Sequence, residues 1–358
     1  MRLFMDFHSI DSDAFTEEDM YRAHLRDVAV QNKHGLIYKR YYLNLHQKTA
    51  FCLVESPSKE ACIESHKEAH GIGACNVIEV SRENEFIPFL GEGDQNEQDL
   101  ALTLSGDIDS GFRTIMLVDF LQLTETQKSI GPKIIDVIKQ YRGSVIKVPS
   151  EKHMASFIDA GDAISCALHL YKYFESFDQN FLYSLAMATG RPVDEHSTNL
   201  FQETKTKVNI MSTFGIKHGV YMDLETKISA SRGQDFSKID ASMVTVLNQV
   251  SYNEIQKLEN LLLKNLNNSN FKSEDLIKQL GLSKSQAYRK ISSLVGLPPN
   301  KLVSEIRLIH AARALKKGGK TVSEIAYESG FSSPTYFTRV FRNRFNILPN
   351  AIAKSQSD

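Results

Sequence analysis

Apolar and polar positions alternate along this chain in three different textures. Residues 1 to 80 mix both periods and read strand, helix, strand, strand, helix, strand. Leu3-Phe4-Met5 opens the first strand. Thr16, with Asp19 three residues on, caps a helix that runs to about His34 and stops at Gly35. Ile37 to Leu43 and Ala50 to Glu55 are strands around a polar turn, Pro57 and Ser58 start the next helix, and Val77 to Val80 is the last strand. This order predicts a ferredoxin-like unit of two βαβ halves. From Arg113 to about Asp223 a second α/β texture follows. Thr114 to Asp119 reads as a buried strand, followed by a helix to Tyr141. Ser144 to Val148 and Met154 to Ile158 form a strand pair, Ala160 to Phe174 an amphipathic helix, and Leu182 to Met187 another strand. Residues 224 to 250 are ambiguous and read as a bridge.

The block from about 252 to 352 is helical and contains a repeat. SEDLIKQLGLSKSQAYRKI (273 to 291) returns as VSEIAYESGFSSPTYFTRV (322 to 340) at an offset of 49. At that offset Gly281 falls on Gly330, Leu276 on Ile325, Tyr288 on Phe337 and Ile291 on Val340. Farther on, GLPPN (296 to 300) echoes NILPN (346 to 350). Each copy reads as a helix-turn-helix used as one repeated unit. A capped apolar helix ends at a Gly suited to a left-handed backbone. Ser283 or Ser332 then caps a second helix that is polar at its start and apolar later, as entry into a major groove requires. The exposed candidates are Lys284, Ser285, Gln286, Arg289 and Lys290 in the first copy. In the second they are Ser333, Thr335, Tyr336 and Arg339. Arg and Gln side chains pair bidentately with guanine and adenine edges, whereas Lys290, Arg342 and Arg344 suit phosphates, which set register without reading sequence. Between the copies a helix from about Asn300 to Lys316 carries Leu302, Ile306, Ile309, Ala312 and Leu315 on one stripe.

Charge changes the picture. Over 358 residues the net charge is −1, which alone argues against nucleic acid. Its distribution argues the reverse. Residues 253 to 358 hold 17 Lys and Arg against 8 Asp and Glu, and residues 1 to 252 hold 25 against 35. A basic helical third on an acidic body points to a nucleic-acid module carried by something else. Residues 81 to 110 carry eight acidic residues and one basic, Arg82, and read as a linker that solvates better than it packs.

The 42% hydrophobic content supports folded cores. No apolar run approaches the roughly 18 residues of a membrane span. MRLFMDFHSID lacks the apolar stretch of a signal peptide, so a cytoplasmic location is expected. Cys52, Cys62, Cys75 and Cys166 are then expected as free thiols. Glycine-rich phosphate loops, HExxH, CxxC and Ser–His nucleophile motifs do not occur in the chain. Histidines concentrate at the N-terminus, at His8, His24, His34, His46, His66 and His70. His66 and His70 share one helix face, and Cys52 and Glu55 lie on a nearby strand. Imidazole and thiolate together suit nickel, zinc or copper. Scattered core and surface histidines are the bland alternative.

Three resemblances extend this reading. The two unequal helix-turn-helices, Arg307, the run Ala311-Ala312-Arg313-Ala314-Leu315 and SEIAYESGFSSPTYFTRVFRNRFNILP resemble the AraC/XylS transcription regulators over about 100 residues. Asn346 stands where that family usually has Gly. FMDFHSI, AHLRDVAVQNKHG, FCLVESPSKEACIESHKEAHG and IEV look like a small nickel-binding ferredoxin-like family over the first 80 residues. That likeness implies dimers and a site drawn from His24, His66 and His70, with Cys52 and Asp27 as weaker members. Residues 113 to 223 are similar in layout to class III nucleotide cyclase domains, with Asp119 at a metal-binding Asp. The departures imply lost chemistry. Ser150-Glu151-Lys152 replaces Gly-Asp-Gly, and Thr206 and Ile210 stand at the catalytic Asn and Arg. Asp119 then reads as a carboxylate capping the following loop.

The expectation is an α+β chain of two ferredoxin-like α/β units followed by an all-α domain with two helix-turn-helix motifs. The boundaries are 1–80, an acidic linker 81–110, a degenerate cyclase-like unit 111–225, a linker 226–251 and a DNA-binding domain 252–358. The function expected is a non-enzymatic, cytoplasmic, homodimeric regulator. It binds paired half-sites on double-stranded DNA, responds to a small ligand or to nickel or another divalent transition metal, and has no membrane partner. An active cyclase fused to a DNA module and a metal-binding storage protein stand as rivals.

Overall fold

The computed structural model of the chain describes residues 1–71, 73–124, 130–148, 152–178, 180–214, 219–231 and 243–354. The first unit is β1 (Arg2–Ser9), α1 (Glu17–His34), β2 (Ile37–Asn44), β3 (Thr49–Ser56), α2 (Lys59–His70) and β4 (Asn76–Val80). Its antiparallel sheet has the order β2-β3-β1-β4 of a ferredoxin-like unit. Thr16 and Asp19 form a capping box on α1, and Gly35 closes it at φ 69°. Strand alternation sorts β1 between two cores. Phe4 packs with Met20 and Cys62 under α1 and α2, whereas Leu3, Met5 and Phe7 face the rest of the body.

The acidic segment 81–110 packs, contrary to its composition. A π-helical turn (Arg82–Phe86) leads into α3 (Ile87–Leu90), followed by the short strands β5 (Asp94–Gln95) and β6 (Ala101–Leu102). Phe86, Phe89, Leu90 and Ala101 are buried in the body's main core. Asp109 serves the interior: both its oxygens accept from the buried Arg113 guanidinium at 2.8 and 2.7 Å. A count of charges could not reveal that one carboxylate is spent on a buried arginine.

The second unit comprises β7 (Arg113–Gln122), α4 (Ile130–Gln140), β8 (Ser144–Ile146), β9 (His153–Phe157), α5 (Ala160–Phe174) and β10 (Phe181–Gly190). These repeat the ferredoxin-like layout, and α6 (Gln202–Thr213), β11 (Val220–Asp223), α7 (Leu224–Ser231) and β12 (Val244–Leu247) extend it. The sheet order is β12-β11-β10-β7-β9-β8. Residues 226–251 are therefore no plain linker among the described residues: β12 joins the sheet parallel to β11. Met116 and Val118 face α4 and α5, and Ile115 and Leu117 face α6 and the main core.

The helical block contains α8 (Gln249–Lys264), α9 (Ser273–Leu280), α10 (Lys284–Val295), α11 (Pro299–Lys317), α12 (Val322–Glu328), α13 (Pro334–Phe345) and α14 (Pro349–Lys354). Leu276, Ile291, Val295 and Leu302 extend the main core, while Phe331, Phe337, Phe341 and Phe345 form an aromatic core with Leu121 and Leu182 of the second unit. All four cysteines are free. Among the described residues no helix is long and apolar enough to cross a membrane.

Candidate functional site

The two helix-turn-helices share a frame but not a single register. The first helices match at the offset of 49: Leu276 and Ile277 are buried as Ile325 and Ala326 are, and Gly281 and Gly330 both take positive φ. The second helices match at 50. Ala287, Ile291 and Val295 face inward in α10, and Phe337, Phe341 and Phe345 do so in α13. The pairings of Tyr288 with Phe337 and Ile291 with Val340 are thus corrected, because the second turn is one residue longer. The same residue moves the cap. Ser283 caps α10, but Ser333, not Ser332, caps α13, accepting from the Tyr336 N–H at 3.1 Å with Pro334 in the first helical position. Asn346 closes α13 at φ 57°, the left-handed conformation that Gly takes at position 296.

Arg307 of α11 holds the loop before α9, donating to the carbonyls of Leu266 (3.3 Å), Asn268 (2.6 Å) and Phe271 (3.0 Å). Gly330 lies against this clamp, and a Cβ there would come within 2.2 Å of the Leu266 carbonyl oxygen. The glycine is therefore set by close approach as well as by its φ of 75°.

Lys284, Ser285, Gln286 and Arg289 line the exposed side of α10, and Thr335, Tyr336, Arg339 and Arg342 that of α13. Arg289 and Arg339 are equivalent at the offset of 50. The Arg339 guanidinium sits 5.3 Å from the Tyr336 ring centroid. Four expected contacts already have partners. Gln286 Oε1 accepts from the Ser283 N–H at 3.0 Å, which spends its acceptor on the helix cap. Lys290 pairs with Glu254, and Arg344 with Glu305 at 2.7 Å, so both charges are engaged within the protein. Ser333 is likewise occupied as a cap.

A second cluster lies under α1 and α2. Asp27 Oδ1 meets His66 Nδ1 at 3.0 Å and His70 Nε2 at 2.9 Å. His66 Nε2 meets Asp6 Oδ2 at 2.7 Å, and the other Asp6 oxygen meets His8 Nε2 at 3.2 Å and the Cys52 N–H at 2.8 Å. Candidate ligand atoms fall into two groups, Asp27-His66-His70 and Asp6-His8-Cys52, each with its atoms within 4.8 Å of one another. With a carboxylate on each ring nitrogen, His66 is a doubly donating imidazolium. Burial opposes its charge, but Asp6 and Asp27 overcome this and raise its pKa to about 10. Burial also opposes the charge on Asp6, and His8 and His66 reverse that, holding its carboxyl well below the ordinary range. Burial, then Asp6, pushes the Cys52 thiol up. The imidazole and carboxylate donors fit a divalent transition metal, which would have to displace the His66 proton.

His24 is not drawn into this cluster. Its Nε2 meets Asp99 at 3.1 Å, and Tyr38 stands between it and His66, 6.0 Å from each ring. Glu55 points away from Cys52, to Lys39 and Arg82, because strand residues an odd number apart face opposite ways. Asp6 and His8 are legible in the sequence as a pair, two apart on one strand face, whereas helix spacing singles out only His66 and His70.

In the second unit Asp119 caps no loop among the described residues. It sits within β7 and accepts from Arg313 at 2.8 Å, Ser212 at 3.3 Å and Lys152 at 3.4 Å. Ile210 is buried in the main core, and Thr206 is exposed, bonded to the Gln202 carbonyl. Ser150 and Glu151 lie outside the described residues.

Comparison with known proteins agrees with these two modules. A family model described as a helix-turn-helix domain matches residues 276–355, and one described as nickel responsive protein SCO4226-like matches residues 4–80. The transcriptional regulator ExsA of Pseudomonas aeruginosa is 30% identical over 115 residues, 32% of this chain and 41% of that protein. Histidine kinase P4 of Formosa agariphila is 28% identical over 137 residues, 38% of this chain and 10% of the kinase. The chain thus spans less than half the length of either relative. The crystal structure of SCO4226 from Streptomyces coelicolor is 31% identical, covering 22% of this chain and 94% of that one, with a TM-score of 0.21. The chain therefore carries an AraC-type helix-turn-helix domain at its C-terminal end and a domain of the SCO4226-like nickel responsive family at its N-terminal end.

Proposed function

We propose that this chain is a transcription regulator that grips one face of a DNA duplex with α10 and α13. The observation that carries this is the pair of exposed helix faces, Lys284-Ser285-Arg289 and Thr335-Tyr336-Arg339, joined through one uninterrupted helix. At about 1.5 Å per residue, α11 is roughly 28 Å long, close to the roughly 34 Å of one duplex turn. Arg289 and Arg339 are the base-reading candidates, and Lys284 and Arg342 suit phosphates. Two copies of the chain would occupy paired half-sites. The test is selection of bound duplexes from a random library by the full chain, followed by titration with Arg289→Ala and Arg339→Ala. Each should relax one position of the selected site, and failure to enrich any sequence would refute the reading.

The N-terminal domain supplies the signal in this reading. Asp27, His66 and His70 would hold nickel or a related divalent cation, with Asp6 beside them and His8 and Cys52 forming the adjoining group. When bound, the cation supplies the positive charge that the His66 proton otherwise provides between the two aspartates. Calorimetric titration of nickel into the chelator-treated chain should show saturable binding that is lost in His66→Ala/His70→Ala. The affinity of the selected duplex should differ with and without nickel, since a ligand that binds both states equally shifts nothing.

The middle unit acts as a scaffold rather than a cyclase. In support, Asp119 is neutralised by Arg313 and Lys152, and an apolar Ile210 stands where a phosphate-stabilising cation would be needed. Cyclic nucleotide formed from ATP or GTP by the purified chain would overturn this.

A further inference from the structure

A cavity of about 320 Å³ opens where three parts of the chain meet. Thr49 comes from the β2–β3 hairpin of the first unit, Asp223 and Leu247 from β11 and β12 of the middle unit, and Tyr252 from α8 of the helical block. Leu247, Tyr252 and Phe112 give it apolar surface.

Two groups on its wall lack a match within the protein. The first is Asp223, 8% exposed at the end of β11. All three of its hydrogen bonds fall on Oδ1, from the Thr226 N–H at 2.9 Å, the Thr226 hydroxyl at 2.6 Å and the Thr189 N–H at 3.3 Å. Among the described residues nothing donates to Oδ2, and no side-chain cation forms an ion pair with this carboxylate. The two cations that also line the cavity are placed elsewhere: Lys207 pairs with Glu203 at 3.0 Å, and the Arg191 guanidinium lies over the Phe7 ring. Burial pushes the Asp223 carboxyl up, and the bonds from Thr226 and the charge of Lys207 only partly offset this. The second group is Thr49. It is 4% exposed, and its hydroxyl has no hydrogen-bond partner among the described residues. Leaving a buried polar group unmatched is costly.

Both spare groups accept hydrogen bonds, and one of them carries a negative charge. The chamber is also far larger than a bare ion needs, since one water takes only about 30 Å³. A buried anion, a spare acceptor and an apolar side together describe a receptor for a small organic cation.

We propose that this cavity binds a small primary amine. Its ammonium, with three donors and no acceptor, would donate to Asp223 Oδ2 and to the Thr49 hydroxyl. Its hydrocarbon part would contact Phe112, Leu247 and Tyr252. The cavity touches all three parts of the chain, so occupancy bears on how α8 and the helix-turn-helices after it are held. That consequence rests on the DNA-binding function proposed above, whereas the binding itself does not.

The test is calorimetric titration of the chelator-treated full chain with benzylamine, tyramine and putrescine in amine-free phosphate buffer, with benzyl alcohol as the uncharged control. At least one amine should bind saturably with one site per chain, and benzyl alcohol should not. Asp223→Asn keeps an oxygen to accept from Thr226 but removes the charge, and it should weaken binding about tenfold or more. Thr49→Val keeps the side chain's shape and removes only the hydroxyl, and it should weaken binding about threefold or more. Where Asp223→Asn fails to fold, Thr49→Val carries the test. The absence of saturable binding by all three amines below about 10 mM would overturn the proposal. So would equal binding of benzyl alcohol, or amine binding indifferent to both substitutions. The selected duplex is then titrated with and without the bound amine. A change in affinity supports coupling, and an unchanged affinity overturns the coupling. Failure of the chain to bind any duplex would sink the regulator reading while the calorimetric result stands.

Discussion

The two α/β units begin alike and diverge at one aspartate each. Both start with a strand of the same topological rank, β1 and β7, and each strand carries a buried carboxylate, Asp6 and Asp119. Asp6 faces the helices of its own unit and meets the histidine of α2. Asp119 faces away from α4 and α5, toward α6 and the DNA-binding domain, and its nearest cation is Arg313 of α11. In a strand a shift of one position reverses the face. The same fold therefore yields an internal cluster in one case and a contact between domains in the other.

The largest expected effect separates the two on stability. Asp6→Ala leaves the wholly buried His66 imidazolium short of a partner and should cost about 3–5 kcal/mol in urea unfolding of the chelator-treated chain. Asp119→Ala should cost only about 1 kcal/mol, because its partner Arg313 is 39% exposed and water can solvate it. Equal losses would break the comparison.

The clusters should also differ in pH response. His66 has a folded-state pKa raised to about 10, so its contribution is fully present below its unfolded value of about 6.5. That contribution is lost as pH rises through the folded value. Asp6 works in the opposite sense: its contribution is present above the unfolded carboxylate value and lost as pH falls through its depressed one. The metal-free chain should therefore lose thermal stability between about pH 7 and 10 by more than His66→Gln does. Parallel slopes for the two proteins would contradict the imidazolium assignment.

DNA affinity sharpens the contrast from the other side, since only the second aspartate touches the DNA-binding domain. Arg289→Ala and Arg339→Ala should each cost about 1–3 kcal/mol on the selected duplex and relax one position. Uniform weakening over all sequences would assign the residue to phosphate. Smallest of all, Asp119→Asn should alter duplex affinity in the metal-free chain, by less than either arginine variant. A larger change in Asp6→Asn under the same conditions would reverse the roles given to the two carboxylates.

Much of this was legible locally. The caps at Thr16, Ser58 and Ser283 and the stops at Gly35 and Gly281 depend on neighbours within one helical turn, so the residues announce them. The exposed faces of α10 and α13 followed from helical period. What failed depended on length or distance. One extra residue in the second turn displaced the cap from Ser332 to Ser333 and shifted the repeat by a position. The pairings of Lys290 with Glu254 and Arg344 with Glu305 join side chains more than thirty residues apart, and no periodicity reports them.

The sequence by itself determined the twin helix-turn-helices, the basic third, the ferredoxin-like order of the first unit and the candidacy of His66 and His70. Those features are periodic, capped or compositional, and they survive reading one segment at a time. Only the tertiary structure decided that residues 81–110 belong to the core, that His24 stands apart while Asp6 and His8 join the cluster, and that Asp119 answers to Arg313. In each of these a charged side chain is buried. Its cost is met by a partner from a distant segment, so the outcome is set by where the chain returns in space.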